Sequence, residues 1–249
     1  VKLSLVTIAF NEERDLPRCL DSVGFADEIV VVDSGSTDGT IEAARSRGAK
    51  VFDHPFEGFS KQKQFAIDRA TGDWILVLDA DETAGPGLGE AVRSAIRSGK
   101  ADAWRIRRKT RYMGRVLRFG PWRGDAPPRL FRRGFARYGE EVVHERLRAD
   151  GPVRLVRDSW IEHEPYDSIP DHIARMARYA ELWASQEAAA GRTCSPADLL
   201  IRPQWRLFRA LFLQMGFLDG IPGIAASVSS AMYAWWKYLA LREASRRSL

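Results

Sequence analysis

Two carboxylates one residue apart, Asp79 and Asp81, close the segment WILVLDADE at Trp74–Glu82. The five residues before them, Trp74–Leu78, are uniformly apolar and read as a buried strand. Charge at the end of a core strand is costly unless it is paired or holds a metal. Carboxylates at i and i+2, where the chain turns out of a sheet, can converge on one hard cation. Mg²⁺ takes one or two carboxylates and fills its remaining positions with water and phosphate oxygens. Bound there, the ion would neutralise charge building on a leaving diphosphate. An acidic turn that caps the next helix is the plainer alternative.

Two further segments repeat this placement. Asp33 ends the apolar run EIVVVD, and a carboxylate there can accept hydrogen bonds from a nucleobase or a ribose hydroxyl. Ala9-Phe10-Asn11-Glu12 ends the first apolar run. Lys61 and Lys63 open the helix that follows Gly58, where cations and helix N-terminal amides together suit phosphate. A glycine trio after the first strand, the dinucleotide fingerprint, is absent.

The elements that must position these residues alternate over the first hundred residues. Strands are expected at Lys2–Phe10, Glu28–Asp33, Lys50–Phe52 and Trp74–Leu78. Helices are expected at Glu12–Val23, Thr40–Arg47, Ser60–Ala70 and Pro86–Ser98. Near-continuous apolar strands in this rhythm predict an α/β fold with a mostly parallel sheet and helices on both faces. Ligands of such sheets sit beyond the carboxyl ends of the strands, where all three acidic segments fall. Strands of a mixed extension are expected at Ala103–Arg111 and Arg129–Arg132, continued at Val153–Val156 and Trp160–Glu162, with Pro121–Pro128 a loop. Helices are expected at Ile169–Ala190, at Ala197–Phe217 with Pro203 as a break point, and at Pro222–Arg246. The division expected is a catalytic domain over residues 1–165 and a helical region over 166–249.

The chain has 249 residues and a net charge of +5. Between Arg97 and Arg137 stand fourteen Lys or Arg against two acids, with aromatics interleaved. Such a block suits a polyanion: nucleic acid, anionic lipid or a phosphorylated substrate. Two distant cysteines, Cys19 and Cys194, argue for a reducing compartment and no disulfide framework. From the strand-like opening run, no signal peptide is expected.

Four motifs in order, TxAFNEE (Thr7–Glu13), VVDSGSTDGT (Val31–Thr40), KQFAIDRATGDW (Lys63–Trp74) and LDADE (Leu78–Glu82), resemble the family 2 glycosyltransferases of the GT-A fold. A closer likeness to lipopolysaccharide core-biosynthesis transferases rests on PRLFRR (Pro128–Arg133), VHERL (Val143–Leu147), HEPYDSIPDHI (His163–Ile173), FLDG (Phe217–Gly220) and WKY (Trp236–Tyr238). The resemblance implies a nucleotide-sugar donor, with UDP the implied carrier. Thr7, Phe10, Asn11, Glu12 and Asp33 would lie around the nucleoside, and Lys61, Lys63, Asp79 and Ala80 toward the diphosphate. Asp79, Asp81 and His144 would hold Mg²⁺ or Mn²⁺. Lys63-Gln64 stands where many members have Arg-Asn. Inversion at the anomeric carbon, also implied, needs a carboxylate base. Glu145 is the first candidate and Glu140 and Glu141 follow. Trp122, Arg123, Asp125 and Arg129 fall in the loop expected on the acceptor side.

From Ala210 to Trp236 the only charge is Asp219, and basic residues flank both ends. A span needs roughly 20 apolar residues, and Asp219-Gly220-Ile221-Pro222-Gly223 breaks the run. A helical hairpin lying on an anionic membrane face is therefore expected, against a plain helical cap or a dimer interface. The sequence reading is thus an inverting, metal-dependent transferase acting on an anionic glycolipid, peripheral on the cytoplasmic face of the inner membrane. Another acceptor, such as a polyprenyl phosphate, a capsule precursor or a protein, stays open, as does a homo-oligomer. A nucleic-acid-binding module is disfavoured by the lack of a recognition-helix pattern.

Overall fold

The computed structural model describes residues 1–139 and 147–247. The chain divides into two compact units: Val1–Lys109 with Asp125–His163, and Thr110–Gly124 with Glu164–Leu249.

In the first unit the expected alternation is present. Strands β1 (Leu3–Ala9), β2 (Glu28–Asp33), β3 (Lys50–Asp53) and β4 (Trp74–Val77) alternate with helices α1 (Leu16–Ser22), α2 (Thr40–Arg45) and α3 (Phe59–Arg69). A short strand β5 (Glu82–Ala84) and helix α4 (Leu88–Arg97) follow. Then come β6 (Ala103–Tyr112), β7 (Arg115–Val116), β8 (Pro128–Arg132), β9 (Ala136–Tyr138), β10 (Leu147–Ala149) and β11 (Val153–His163). The main sheet runs β3-β2-β1-β4-β8-β6-β11-β5, with β7 against β6, and β9 pairs with β10 separately.

Only one half of that sheet is parallel. β3, β2, β1 and β4 pair parallel, whereas β8 meets β4, and β11 meets β5, antiparallel. The sheet is therefore mixed. Side chains alternate across a strand, so Leu5 and Leu76 enter one core with α1 and α4, while Val6 and Ile75 enter the other with Ala66 and Ile67 of α3. Burial on both faces explains why these strands read as continuous apolar runs. β6 behaves differently: Trp104, Ile106, Thr110 and Tyr112 are buried, while Arg105, Arg107, Lys109 and Arg111 point out. Part of the basic block is thus the solvent face of one strand.

The second unit is helical: α5 (Ile169–Ala189), α6 (Pro196–Leu200), α7 (Arg202–Phe208) and α8 (Gly220–Arg247). The helix expected over Ala197–Phe217 is broken into pieces. After α7 the chain runs through a π-helical turn at Arg209–Leu213 and a 3₁₀ turn at Gly216–Asp219. Ser195 caps α6 reciprocally with Asp198. Met215 is left-handed (φ 55°). A Cβ on Gly216 would meet Ser227 Oγ at 2.5 Å and the Ala210 carbonyl at 2.8 Å, so only glycine fits there. Buried Asp219 pins the approaching loop, accepting hydrogen bonds from the backbone N–H of Arg118 (2.7 Å) and Phe119 (2.8 Å). Among the described residues no single helix is long and apolar enough to cross a membrane. The stretches Pro196–Leu213 and Gly216–Arg246 together reach that length but are bent by 65°.

Candidate active site

The parallel strands deliver their ends to one edge of the first unit. Asp79 is held there by two side-chain cations: Lys63 Nζ lies 2.6 Å from one oxygen and Arg129 Nη2 2.7 Å from the other. Lys63 comes from the buried face of α3. Arg129 comes from β8, whose register sets Leu130 opposite Leu76 and Arg129 one step further toward the end of β4. Glu82, fully buried, accepts from Arg129 Nη2 (2.6 Å), from Arg108 Nη1 (3.0 Å) and from the Asp79 backbone N–H (2.9 Å). Arg108 also forks onto Asp125 through Nε (2.8 Å) and Nη2. Lys63, Arg108 and Arg129 thus balance Asp79, Glu82 and Asp125, the condition under which buried charge is tolerated. Burial pushes the Asp79 carboxyl up, but Arg129 and Lys63 outweigh it and hold it well below the usual carboxylate range. Arg129 is held well above its ordinary value: Asp79 and Glu82 outweigh the cost of its burial. Its Nε is buried with no acceptor among the described residues, an unmet donor of the kind an added oxygen satisfies.

Asp81 lies beside His163, with Nε2 3.6 Å from its carboxylate. The antiparallel pairing of β11 with β5 sets His163 opposite Glu82 and so brings a histidine eighty residues away to the carboxylate pair. Asp81 would present a carboxylate of the kind that suits Mg²⁺ or Mn²⁺, while the His163 imidazole beside it is a ligand of softer character. No cluster of three or more His, Cys, Asp or Glu gathers at metal-binding distance among the described residues. Cys19 packs under this edge, its thiol 3.5 Å from the Asp79 carbonyl. Burial, then the negative charges of Glu82, Asp81 and Asp79, push that thiol up, so it is an inert core group.

The β1 and β2 ends form a knitted pair of loops. Asp33 is fully buried and accepts from the backbone N–H of Gly35 and Ser36 (2.8 Å each) and from Ser36 Oγ (2.5 Å). Asn11, left-handed at φ 56°, donates its N–H to Ser36 Oγ (2.8 Å) and accepts from the Thr37 N–H (2.9 Å). The Glu12 N–H donates to Thr40 Oγ1 (2.8 Å). Buried Gln62 ties α3 to the β2 loop through Ser34 Oγ (2.9 Å) and to the end of β3 through the His54 carbonyl (2.8 Å). Thr7 and Ala80 are buried, and Phe10 is exposed.

The other expected site residues separate. Lys61 is exposed and pairs with Glu57 (3.1 Å). Asp125 and Arg129 belong to the charge cluster of the first unit. Trp122 and Arg123 belong to the second unit, where Trp122 packs edge-on to Tyr112 (5.3 Å between centroids) beside Tyr166 and His172. Arg123 lies over the Phe119 ring (5.8 Å). Glu140, Glu141, His144 and Glu145 lie outside the described residues. The sequence reading missed Glu82 and Arg108 as charge partners and His163 as a neighbour of Asp81. The only signals for them were Glu82 completing the acidic run and His163 opening the HEPYDSIPDHI motif.

Residues 4–157 match the model of glycosyl transferase family 2. LpsC of Rhizobium meliloti, a lipopolysaccharide core biosynthesis glycosyltransferase, is 30% identical over 240 residues, covering 94% of this chain and 89% of LpsC. A glycosyltransferase of Rickettsia typhi is 28% identical over 261 residues, covering 99% of this chain and 89% of its own length. Among solved structures, residues 1–349 of S. aureus TarS superpose with a TM-score of 0.53 at 18% identity, covering 100% of this chain and 92% of that one. That likeness speaks for the fold, which is GT-A. More particularly, the chain belongs to glycosyl transferase family 2 and is an enzyme of that family.

Proposed function

We propose that the enzyme moves a sugar, with inversion, from a nucleotide-sugar donor to an anionic glycolipid of the lipopolysaccharide-core kind. The observation that carries the donor half is the convergence, beyond the end of β4, of Lys63 and Arg129 on Asp79 and of His163 on Asp81. TarS has been crystallised with UDP and with UDP-GlcNAc, which supports UDP as the carrier. Asp33 orders the loop against which a nucleoside would rest. Asp79 keeps two cations in place, and Arg129 Nε offers a further donor toward phosphate oxygens. Asp81 and His163 would hold a divalent cation, with Asp79 orienting from behind. A bound Mg²⁺ or Mn²⁺ supplies neutralisation of charge on the departing diphosphate. The acceptor hydroxyl needs a carboxylate base. Glu145, then Glu141 and Glu140, remain the candidates.

The acceptor half rests on the LpsC relative and on the basic rows of the chain. A membrane-borne acceptor places the enzyme at the membrane face. The direct test is transfer from a panel of UDP-hexoses to a lipopolysaccharide-core glycolipid in the presence of Mn²⁺ or EDTA, with NMR of the new linkage. A β-linkage formed from an α-donor, abolished by EDTA, is expected. Retention of configuration, or transfer indifferent to chelation, would overturn the mechanism.

A further inference from the structure

The segment over residues 202–212 carries two rows that the donor site does not use. Trp205, Phe208 and Phe212 form an exposed aromatic row, 55%, 46% and 58% open to solvent, with ring centroids 5.9 and 5.4 Å apart. Arg202, Arg206 and Arg209 form a basic row. Within α7, at 3.6 residues per turn, the pair Arg202 and Arg206 lies about a third of a turn from the pair Trp205 and Phe208. The basic row, with Trp205 at its side, lines a cleft of about 430 Å³ that it shares with Ser230, Lys237 and Tyr238 of α8.

Positive charge is in excess there. Arg202 is paired with Asp198 (2.5 Å). Arg206 Nε donates to the Ser230 hydroxyl (2.8 Å), and Lys237 Nζ sits over the Trp183 ring (4.1 Å). No carboxylate lies within ion-pair distance of Arg206, Arg209 or Lys237 among the described residues. Burial, then the nearby Arg206 and Arg192, draws the Lys237 ammonium down to about 8. Such crowding is relieved by an anion, and guanidinium groups match phosphate oxygens in a bidentate fork.

We propose that this cleft binds the phosphate of an anionic lipid headgroup, with Trp205, Phe208 and Phe212 inserted at the acyl boundary beside it. The exposed aromatic row distinguishes this from a site for a soluble phosphate, which would leave that row in water. Aromatic residues beside arginines are the composition that settles at a membrane interface. The site rests on the reading of the acceptor as membrane-borne, and is independent of the donor site.

The test is flotation of the full chain with vesicles of phosphatidylcholine alone or with 30% phosphatidylglycerol, alongside UDP titration of the same samples. Preferential binding to the anionic vesicles is expected. Arg206→Gln/Arg209→Gln should weaken it about thirty-fold, at about fivefold per surface charge. Trp205→Ser/Phe208→Ser should weaken binding to both vesicle types, and UDP affinity should stay unchanged in every variant. Equal binding of wild type and the arginine variant, or binding of free glycerophosphate as tight as that of vesicles, would overturn the cleft while leaving the transferase reading intact. Absence of UDP binding in the wild type would count against that reading and not against the cleft.

Discussion

Replacing Glu82 by glutamine tests the charge cluster with little change of shape. The carboxylate is fully buried and accepts three hydrogen bonds, two of them from guanidinium groups. A glutamine side chain offers one acceptor oxygen and one donor NH₂. With the oxygen toward Arg129 and Arg108, the NH₂ meets the Asp79 N–H donor to donor. Turned round, the NH₂ faces two guanidinium groups. Either orientation leaves buried donors unmet, at about 1–3 kcal/mol, and removes the charge that balances Arg108 and Arg129. Breaking one partner of a buried pair typically costs 3–5 kcal/mol. We therefore expect a loss of about 3 kcal/mol in urea unfolding of the first unit, and a Tm lower by roughly 6–12 °C. Adding Arg108→Met should recover part of the loss, with a coupling of about 1 kcal/mol or more. A loss under about 0.5 kcal/mol for Glu82→Gln would refute the reasoning, because Glu82 would then be replaceable by a neutral group.

Other outcomes follow from named contacts. Asp219→Ala strands two backbone N–H groups, and should lower the stability of the second unit by about 2–4 kcal/mol in denaturant titration; no loss would mean water takes their place. Burial draws the His172 imidazole down to about 4, so the unfolded chain takes up its proton first as pH falls. Stability should therefore decline between about pH 6.5 and 4, a slope that His172→Phe should reduce in a pH series of melts. A Cβ on Gly223 would collide with the Gly216 carbonyl, so Gly223→Ala should destabilise by about 1–3 kcal/mol. An unchanged melt would show that α8 can shift aside.

Much of the fold was legible because burial writes itself into sequence. EIVVVD appears as a strand with the same ends, since both its faces are covered. Strands of two or three residues, such as Glu82–Ala84 and Ala136–Tyr138, carry too little pattern to find. β11 reads as two pieces because Arg157 and Asp158 interrupt its apolar positions, yet the ladder runs through them. The mixed extension expected of Ala103–Arg111 and Arg129–Arg132 is present: β8 and β6 join antiparallel, and β6 shows the alternation of a strand with one open face.

At the site, Asp79, Asp81 and Lys63 could be picked out because they stand at the ends or starts of legible elements. Arg129 was assigned to an acceptor loop, and the structure sets it on Asp79. His163 reaches Asp81 only through the β11–β5 register. Both contacts arise from pairing of distant strands, which local periodicity does not encode. The break at Met215–Gly216 likewise depends on what Ser227 and Ala210 place against the glycine.

The central claim is a cation-dependent nucleotide site at the end of β4. Calorimetric titration of UDP, with and without Mn²⁺, on the wild type, Asp81→Ala and His163→Ala tests it most directly. The account predicts binding that requires Mn²⁺ and is lost or weakened at least tenfold in both variants. Binding indifferent to Mn²⁺ and to both substitutions would contradict it.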